Sequence, residues 1–285
     1  LRCAAAQDVP REVEDRSHGL DVPFIPSHQA VLETMFNLAK VTRDDFVIDL
    51  GSGDGRIVIT AAKRFGARGF GVDLNEELVA HANKWAREEG LADRVTFHVR
   101  DLFLTDISQA TVLTMYLLPG VVLRLRPKLL ADLAPGTRIV SHDYDLGAWR
   151  PEESRAVDDG WIARSVVHLY IVPARVAGHW VWSLPSAAGA GPETAVEATI
   201  HQRFQRVVGK VREASAELPM REVRLRGRSL RFMVRRAGYR ALRHHYAGTV
   251  EGEEIAGTVR TVVDGREVMT PWRARRRSGG GGLAR

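Results

Sequence analysis

VIDLGSGDGRIVI, residues 47–59, sets a run of branched apolar residues against a loop with three glycines and then a helix-like run. The apolar run Phe46–Leu50 reads as a buried strand, and Arg56–Phe65 reads as a helix whose start faces the loop. A strand, a glycine loop and a helix in that order form the phosphate corner of a dinucleotide fold, but the spacing departs from it. The dinucleotide fingerprint is G-x-G-x-x-G. Here Gly51, Gly53 and Gly55 give G-x-G-x-G, and Arg56 stands where the third close-packing glycine belongs. Asp49, two residues before the first glycine, would repel a pyrophosphate and suits a ligand with a positive end. Asp54 favours the start of the following helix through its dipole.

Working outward, strands and helices alternate. Val31, Leu32, Met35, Phe36 and Leu38 keep helical spacing, with Ser27 placed to cap them. After the glycine loop come a strand at Ala67–Asp73, a helix at Asn75–Glu89, strands at Val95–Arg100 and Thr111–Leu117, a helix at Val121–Ala134 and a strand at Thr137–His142. This pattern predicts a mainly parallel sheet covered on both faces. Ser165–Val172 and His179–Leu184 read as a hairpin closing that sheet. Residues 185–194, PSAAGAGPET, form the linker. Beyond it, short alternating runs (Thr199–Val208, Val223–Arg226, Leu230–Val234, Arg240–Thr249 and Ile255–Val263) predict a small antiparallel β domain, with a hairpin around Glu251-Gly252. The expected organisation is a flexible leader (1–20), an α/β domain (21–184), the linker, an all-β domain (195–273) and a disordered basic tail (274–285).

VIDLGSGDG resembles motif I of the class I (seven-strand) S-adenosylmethionine-dependent methyltransferases. Asp73 ends the second strand where that family binds the ribose diol. Asp101, in VRDLF, is similar to the acidic residue that contacts the adenine amino group. The resemblance implies a Rossmann-like class I methyltransferase sheet with a closing antiparallel hairpin, and S-adenosyl-L-methionine as cofactor. Contacts to it are expected at Asp49, Gly51, Ser52, Gly53, Asp73, Asp101 and Leu102, with Asp49 toward the ammonium end. Tyr116-Leu117-Leu118-Pro119 lacks the N/D-P-P-Y/F of base-amine methyltransferases. TVLTMYLLP, PGTRIVSHDYDLGAW and VPFIPSHQAV are instead similar to a bacterial and mitochondrial group. That group includes the lysine N-methyltransferases of the ATP synthase c-ring protein and of the adenine nucleotide translocase. This narrower resemblance implies methyl transfer to a protein lysine ε-amine, with Tyr116 lining the amine channel and His142 and Asp143 orienting the amine or relaying its proton. Trp149 reads as pocket cap or packing. Two alternatives stand beside this reading: an RNA or small-molecule methyltransferase on the same fold, and a non-catalytic module that binds the cofactor.

One cysteine, Cys3, excludes internal disulfides, and the scattered histidines predict no metal site. The longest apolar run, Ala110 to Leu123, is broken by Pro119-Gly120 and is too short to span a bilayer. The chain reads as cytoplasmic; the alternative is export, with Ala4-Ala5-Ala6 as the tail of an export signal. The chain's net charge of +6 is uneven, because residues 191–285 hold 20 Lys+Arg against 10 Asp+Glu and the remainder is net negative. Arginines interleaved with Phe232, Tyr239 and Tyr246 fit a nucleic-acid surface, an acidic protein or an anionic membrane face; the plainer reading is a solvated sheet face.

Overall fold

A computed structural model describes residues 25–158, 164–184, 193–236, 242–263 and 265–277. The leader, most of the linker, Tyr239 and residues 278–285 lie outside these. The chain divides into two compact units at Val172/Pro173.

The first unit runs α1 (Gln29–Ala39), β1 (Phe46–Leu50), α2 (Arg56–Phe65), β2 (Arg68–Asp73), α3 (Glu76–Glu88), β3 (Val95–Val99), β4 (Val112–Met115), α4 (Pro119–Asp132), β5 (Arg138–His142), β6 (Glu153–Val157) and β7 (Ser165–Ile171). Its sheet has the order β3-β2-β1-β4-β5-β7-β6, parallel through the first five strands and antiparallel at β7 and β6. The order reverses between β1 and β4, and a crevice opens at the carboxyl ends of strands at such a switch point. Val47, Val112, Val140 and Val167 on the sheet share one core with Leu32, Met35 and Phe36 of α1, Val58 and Ala62 of α2, and Val79 and Ala82 of α3. Burial of such side chains contributes roughly 1.5–3 kcal/mol each.

In this unit the structure corrects three expectations. The antiparallel partner of β7 is β6, not 179–184. Glu153–Val157 is exposed along most of its length and carries no apolar alternation, so it gives no strand signal. Ser27 does not cap α1; His28 holds that position, and its ring accepts from the Ala30 N–H. Gly55 performs the close packing assigned to an absent third glycine, since a Cβ there would lie 2.6 Å from the Phe97 ring and 2.8 Å from Ala82 Cβ.

The second unit is antiparallel throughout: β8 (Gly178–Leu184), β9 (Thr194–Arg203), β10 (Arg206–Glu213), β11 (Ala216–Pro219), β12 (Arg221–Arg226), β13 (Ser229–Arg236), β14 (Leu242–Glu251), β15 (Glu254–Val263) and β16 (Arg266–Arg276). The order is β11-β10-β9-β8-β16-β15-β14-β13-β12. Only Met220 separates β11 from β12, so one bent strand joins the two ends of this order and the sheet curls into a nearly closed barrel. Trp182, Phe232, Tyr246 and Trp272 pack against one another inside it, with Phe232 and Tyr246 stacked at 4.5 Å. The all-β unit therefore begins before the segment read as linker and takes in 178–184. It also extends past 273, because β16 runs to Arg276. Thr199–Val208 is two strands, turned at Phe204 with a positive φ of 55°. The hairpin around Glu251-Gly252 joins β14 to β15 as expected.

Candidate functional site

The ends of β1, β2, β3 and β4 surround a cleft of about 480 Å³. Asp49 and Thr114 face each other at paired positions of β1 and β4, and the Thr114 hydroxyl donates to Asp49 Oδ1 at 2.7 Å. Asp49 is buried, and that burial, with the Asp73 and Asp54 carboxylates adding to it, pushes its carboxyl up to about 7 against the pull of Thr114.

The glycine loop spends its own donors. Gly51 and Ser52 both donate N–H groups to Val72 O at 2.9 Å, Gly55 donates to Ser52 O at 2.9 Å, and Gly53 donates to Asp73 Oδ2 at 2.8 Å. A pyrophosphate cradle needs such N–H groups turned toward the ligand. In this chain four of them are committed to protein acceptors, and Asp49, Asp54 and Asp73 border the same space. Beside the loop, the groups left facing the cleft are the Asp49 and Asp73 carboxylates rather than free N–H donors, which does not suit a pyrophosphate.

The residues fit the cofactor that the resemblance implies. Ser52 Oγ is buried without a hydrogen-bond partner among the described residues and supplies a spare polar contact in the loop. Gly51 has φ +78°, and a Cβ there would come within 2.7 Å of Leu117, which lines the cleft, so a side chain at this position would disturb the cleft wall. Asp73 also accepts the Asn75 N–H at 2.9 Å, and Asn75 in turn caps α3. Asp101 closes its own turn by accepting the Phe103 N–H at 2.7 Å, and it borders the cleft with Leu102 and Phe103. Arg124 lies over the Phe103 ring at 4.5 Å.

At the other end of the cleft, Tyr116 forms part of the wall, and its hydroxyl donates to Asp143 Oδ2 at 3.3 Å. Asp143 is held firmly: it has φ +60°, donates its N–H to Val166 O at 2.7 Å and accepts the Val166 N–H on Oδ1 at 2.8 Å. His142 stacks on Tyr116 with centroids 3.8 Å apart, but it is buried and pinned on both nitrogens, Nδ1 to Ser27 Oγ at 2.9 Å and Nε2 to Ser165 Oγ at 3.1 Å. It backs the cleft rather than lining it. Trp149 packs edge-on against Tyr170 in the core.

The structure brings all the expected cofactor residues to one cleft, apart from Gly53, which reaches it through Asp73. It also adds residues that sequence reasoning missed. Thr114 is the one polar residue in VLTM, a signal open to reading. Ser27 reads only as a helix cap and Arg56 only as a helix start, and Ser165 gives no signal. Arg56 forks onto Asp54 (2.6 Å at its shortest) and donates to Ser27 O at 3.2 Å, tying the start of α2 to the segment before α1.

Residues 49–153 match the family described as the ANTKMT methyltransferase domain. A protein-lysine N-methyltransferase of Saccharolobus islandicus (strain REY15A) is 43% identical over 152 residues, which is 53% of this chain and 94% of that protein. The Homo sapiens lysine N-methyltransferase named for the c-type subunit of ATP synthase is 31% identical over 49% of this chain. The adenine nucleotide translocase lysine N-methyltransferase of Mus musculus is 35% identical over 46% of it. The chain spans 60% and 57% of the length of these two proteins. Among solved structures, an RNA methyltransferase from Salinibacter ruber in complex with S-adenosyl-L-homocysteine is 48% identical, with 53% of this chain and 96% of that chain covered and a TM-score of 0.49.

Proposed function

We propose, since the chain belongs to the class I S-adenosylmethionine-dependent methyltransferases, in the group that carries the ANTKMT methyltransferase domain, that it methylates a lysine ε-amine of a protein substrate. The bound cofactor supplies a methyl group activated by a sulfonium. What this chain must do is hold that cofactor, exclude water and present an unprotonated amine in line.

In this reading Asp73 holds the ribose hydroxyls and Asp101, with Leu102, borders the adenine. Gly51, Ser52 and Gly53 bring backbone close to the amino-acid part, while Asp49 faces its ammonium group. Tyr116 and Asp143 serve the incoming amine. A lysine amine has a pKa near 10.4 in water and has to lose a proton before it attacks. The Asp143 carboxylate attracts and orients the ammonium form, and its side chain, 27% exposed, leaves the proton a route to solvent. The Tyr116 hydroxyl and ring then form the wall of a less polar passage in which the neutral amine is favoured. His142 is a positioning residue in this scheme: fixed by Ser27 and Ser165, it holds the Tyr116 ring.

The observation that carries the reading is the hydrogen bond from Tyr116, on the cleft wall, to Asp143, which is not itself part of the cleft lining. The test is incubation of the full chain with methyl-labelled cofactor and protein extract, followed by mass spectrometry of the labelled acceptor. Methyl-lysine in a protein supports it, whereas label confined to RNA or to small molecules overturns it.

A further inference from the structure

The cations of the β-barrel unit fall into two populations. On β8–β11 and β15–β16 many are matched by carboxylates: Arg212 and Arg277 with Glu197, Lys210 with Glu217, Arg260 with Glu267, Arg273 and Arg275 with Glu254, and Arg276 with Glu253. On β12–β14 five arginines are not. From Arg221 to Glu251 the sequence holds nine arginines and only two acidic residues, Glu222 and Glu251. Arg221, Arg224, Arg231, Arg235 and Arg243 are exposed and make no ion pair among the described residues. Strand register sets Arg224 directly opposite Arg231 and Arg235 directly opposite Arg243. Like charges placed opposite one another on a sheet face destabilise it. Elsewhere in the barrel such opposition occurs singly, at the turn ends of hairpins, as Arg203 with Arg206 and Glu251 with Glu254. A solvated face needs no repeated opposition of this kind.

We infer that the outer face of β12, β13 and β14 binds the phosphate backbone of a nucleic-acid duplex. Guanidinium forks match phosphate oxygens two at a time, and a planar array of them at strand spacing meets a densely charged rod better than it meets isolated anions. The same face argues against the other polyanions. Phe232 and Tyr246 point into the barrel, where they stack on each other, so among the described residues the face offers only the half-buried His245 imidazole and no phenyl, phenol or indole ring for unstacked bases, which suits single strands poorly. Among the described residues, the exposed large apolar side chains of this unit are Val208, Val268 and Met269, all on other strands, so the face offers no wedge for a lipid surface. Binding of this kind reads charge and shape rather than sequence.

The test is fluorescence anisotropy of the full chain with short labelled RNA and DNA duplexes, in separate arms, as salt is varied. Neutralising about five phosphates gives a log–log slope of about −4.5 on the DNA duplex. The variant R224S/R231S/R235S/R243S should weaken binding by about a hundredfold or more at low salt and reduce the slope to about −1. R212S/R260S/R273S/R275S removes the same charge from paired positions and should leave the slope within about one of the parent. Equal loss in both variants, an unchanged slope in the first, no duplex binding at all, or binding to anionic vesicles in preference to either duplex would overturn the inference. The melting temperature of the first variant should equal or exceed the parent's, because opposed charges have been removed; a fall would make these arginines structural and count against a ligand role. The single change Arg231→Gln, which leaves the fold less disturbed, should weaken duplex binding about fivefold with the same salt signature.

Discussion

Asp73 Oδ2 accepts the Gly53 N–H at 2.8 Å, so the carboxylate that ends β2 also holds the glycine loop that follows β1. Its other oxygen holds the start of α3 through Asn75. Asp73→Ala therefore removes two charge-assisted bonds inside the protein together with any bond to a ligand hydroxyl. At about 1.5–3 kcal/mol for each bond to a charged group, cofactor affinity should fall by roughly a hundredfold or more. Calorimetric titration with the cofactor measures this, and Asp73→Asn, which keeps one acceptor oxygen, should fall between the two.

Gly51→Ala meets two separate obstacles: a positive φ and a Cβ 2.7 Å from the Leu117 side chain. Overpacking and left-handed strain together should cost about 2–4 kcal/mol. The double variant G51A/L117A relieves the overlap but not the strain. Its melting temperature, compared with both single variants, should show about 1–2 kcal/mol recovered in a double-mutant cycle.

Asp49 makes a pH prediction. Its folded pKa of about 7 lies above the ordinary value of 3.8, so the folded state holds a proton that the unfolded chain gives up. That contribution is fully present below the unfolded value and is lost as pH rises through about 7, a change of about 4 kcal/mol across the window. Asp49→Asn should flatten the decline in denaturant-measured stability over that range. Since a bound ammonium favours the ionised form, cofactor affinity of the parent should tighten as pH rises toward 7, by up to about tenfold per unit, and the variant should lack this dependence.

His244 carries the opposite sign. Burial, with His245 beside it, lowers its pKa from 6.5 to about 4, and Nδ1 is hydrogen-bonded to Thr261 Oγ1 at 2.9 Å. The neutral ring contributes stability above pH 6.5, and this is lost as pH falls through about 4, amounting to about 3 kcal/mol. Thermal melts at pH 7, 5 and 4 should show the loss, and His244→Gln should reduce it.

Much of the first unit could be read from the sequence because its signals are local. A buried strand, a glycine loop and an amphipathic helix each lie within a few residues, and the acidic landmarks sit at strand ends that the same pattern locates. What failed was pairing. Trp180, Trp182 and Leu184 alternate as a strand should, yet nothing in that alternation says which sheet receives them, and the true partner of β7 is a polar stretch, ESRAV. His142 shows the same limit in the site. Its place at the end of β5 was legible, but the two serines that pin it come from 115 and 23 residues away. Phe232 and Tyr246, read as part of an arginine-rich surface, face inward, because period-two alternation gives two faces without naming the inner one.

The order of strands in the second unit has a consequence for how it comes apart. From β8 to β16 every paired neighbour is also adjacent along the chain, except that β16 must return to β8. That return is two residues long in register, Arg275 with Val181 and Arg276 with Trp180, whereas β9 with β10 and the hairpins from β13 to β16 run to eight or ten. Chain closure is therefore the last and least secured event in forming the unit, and the seam between its first and last strands is where it opens first, baring the buried Trp180 while the hairpins on either side stay zipped.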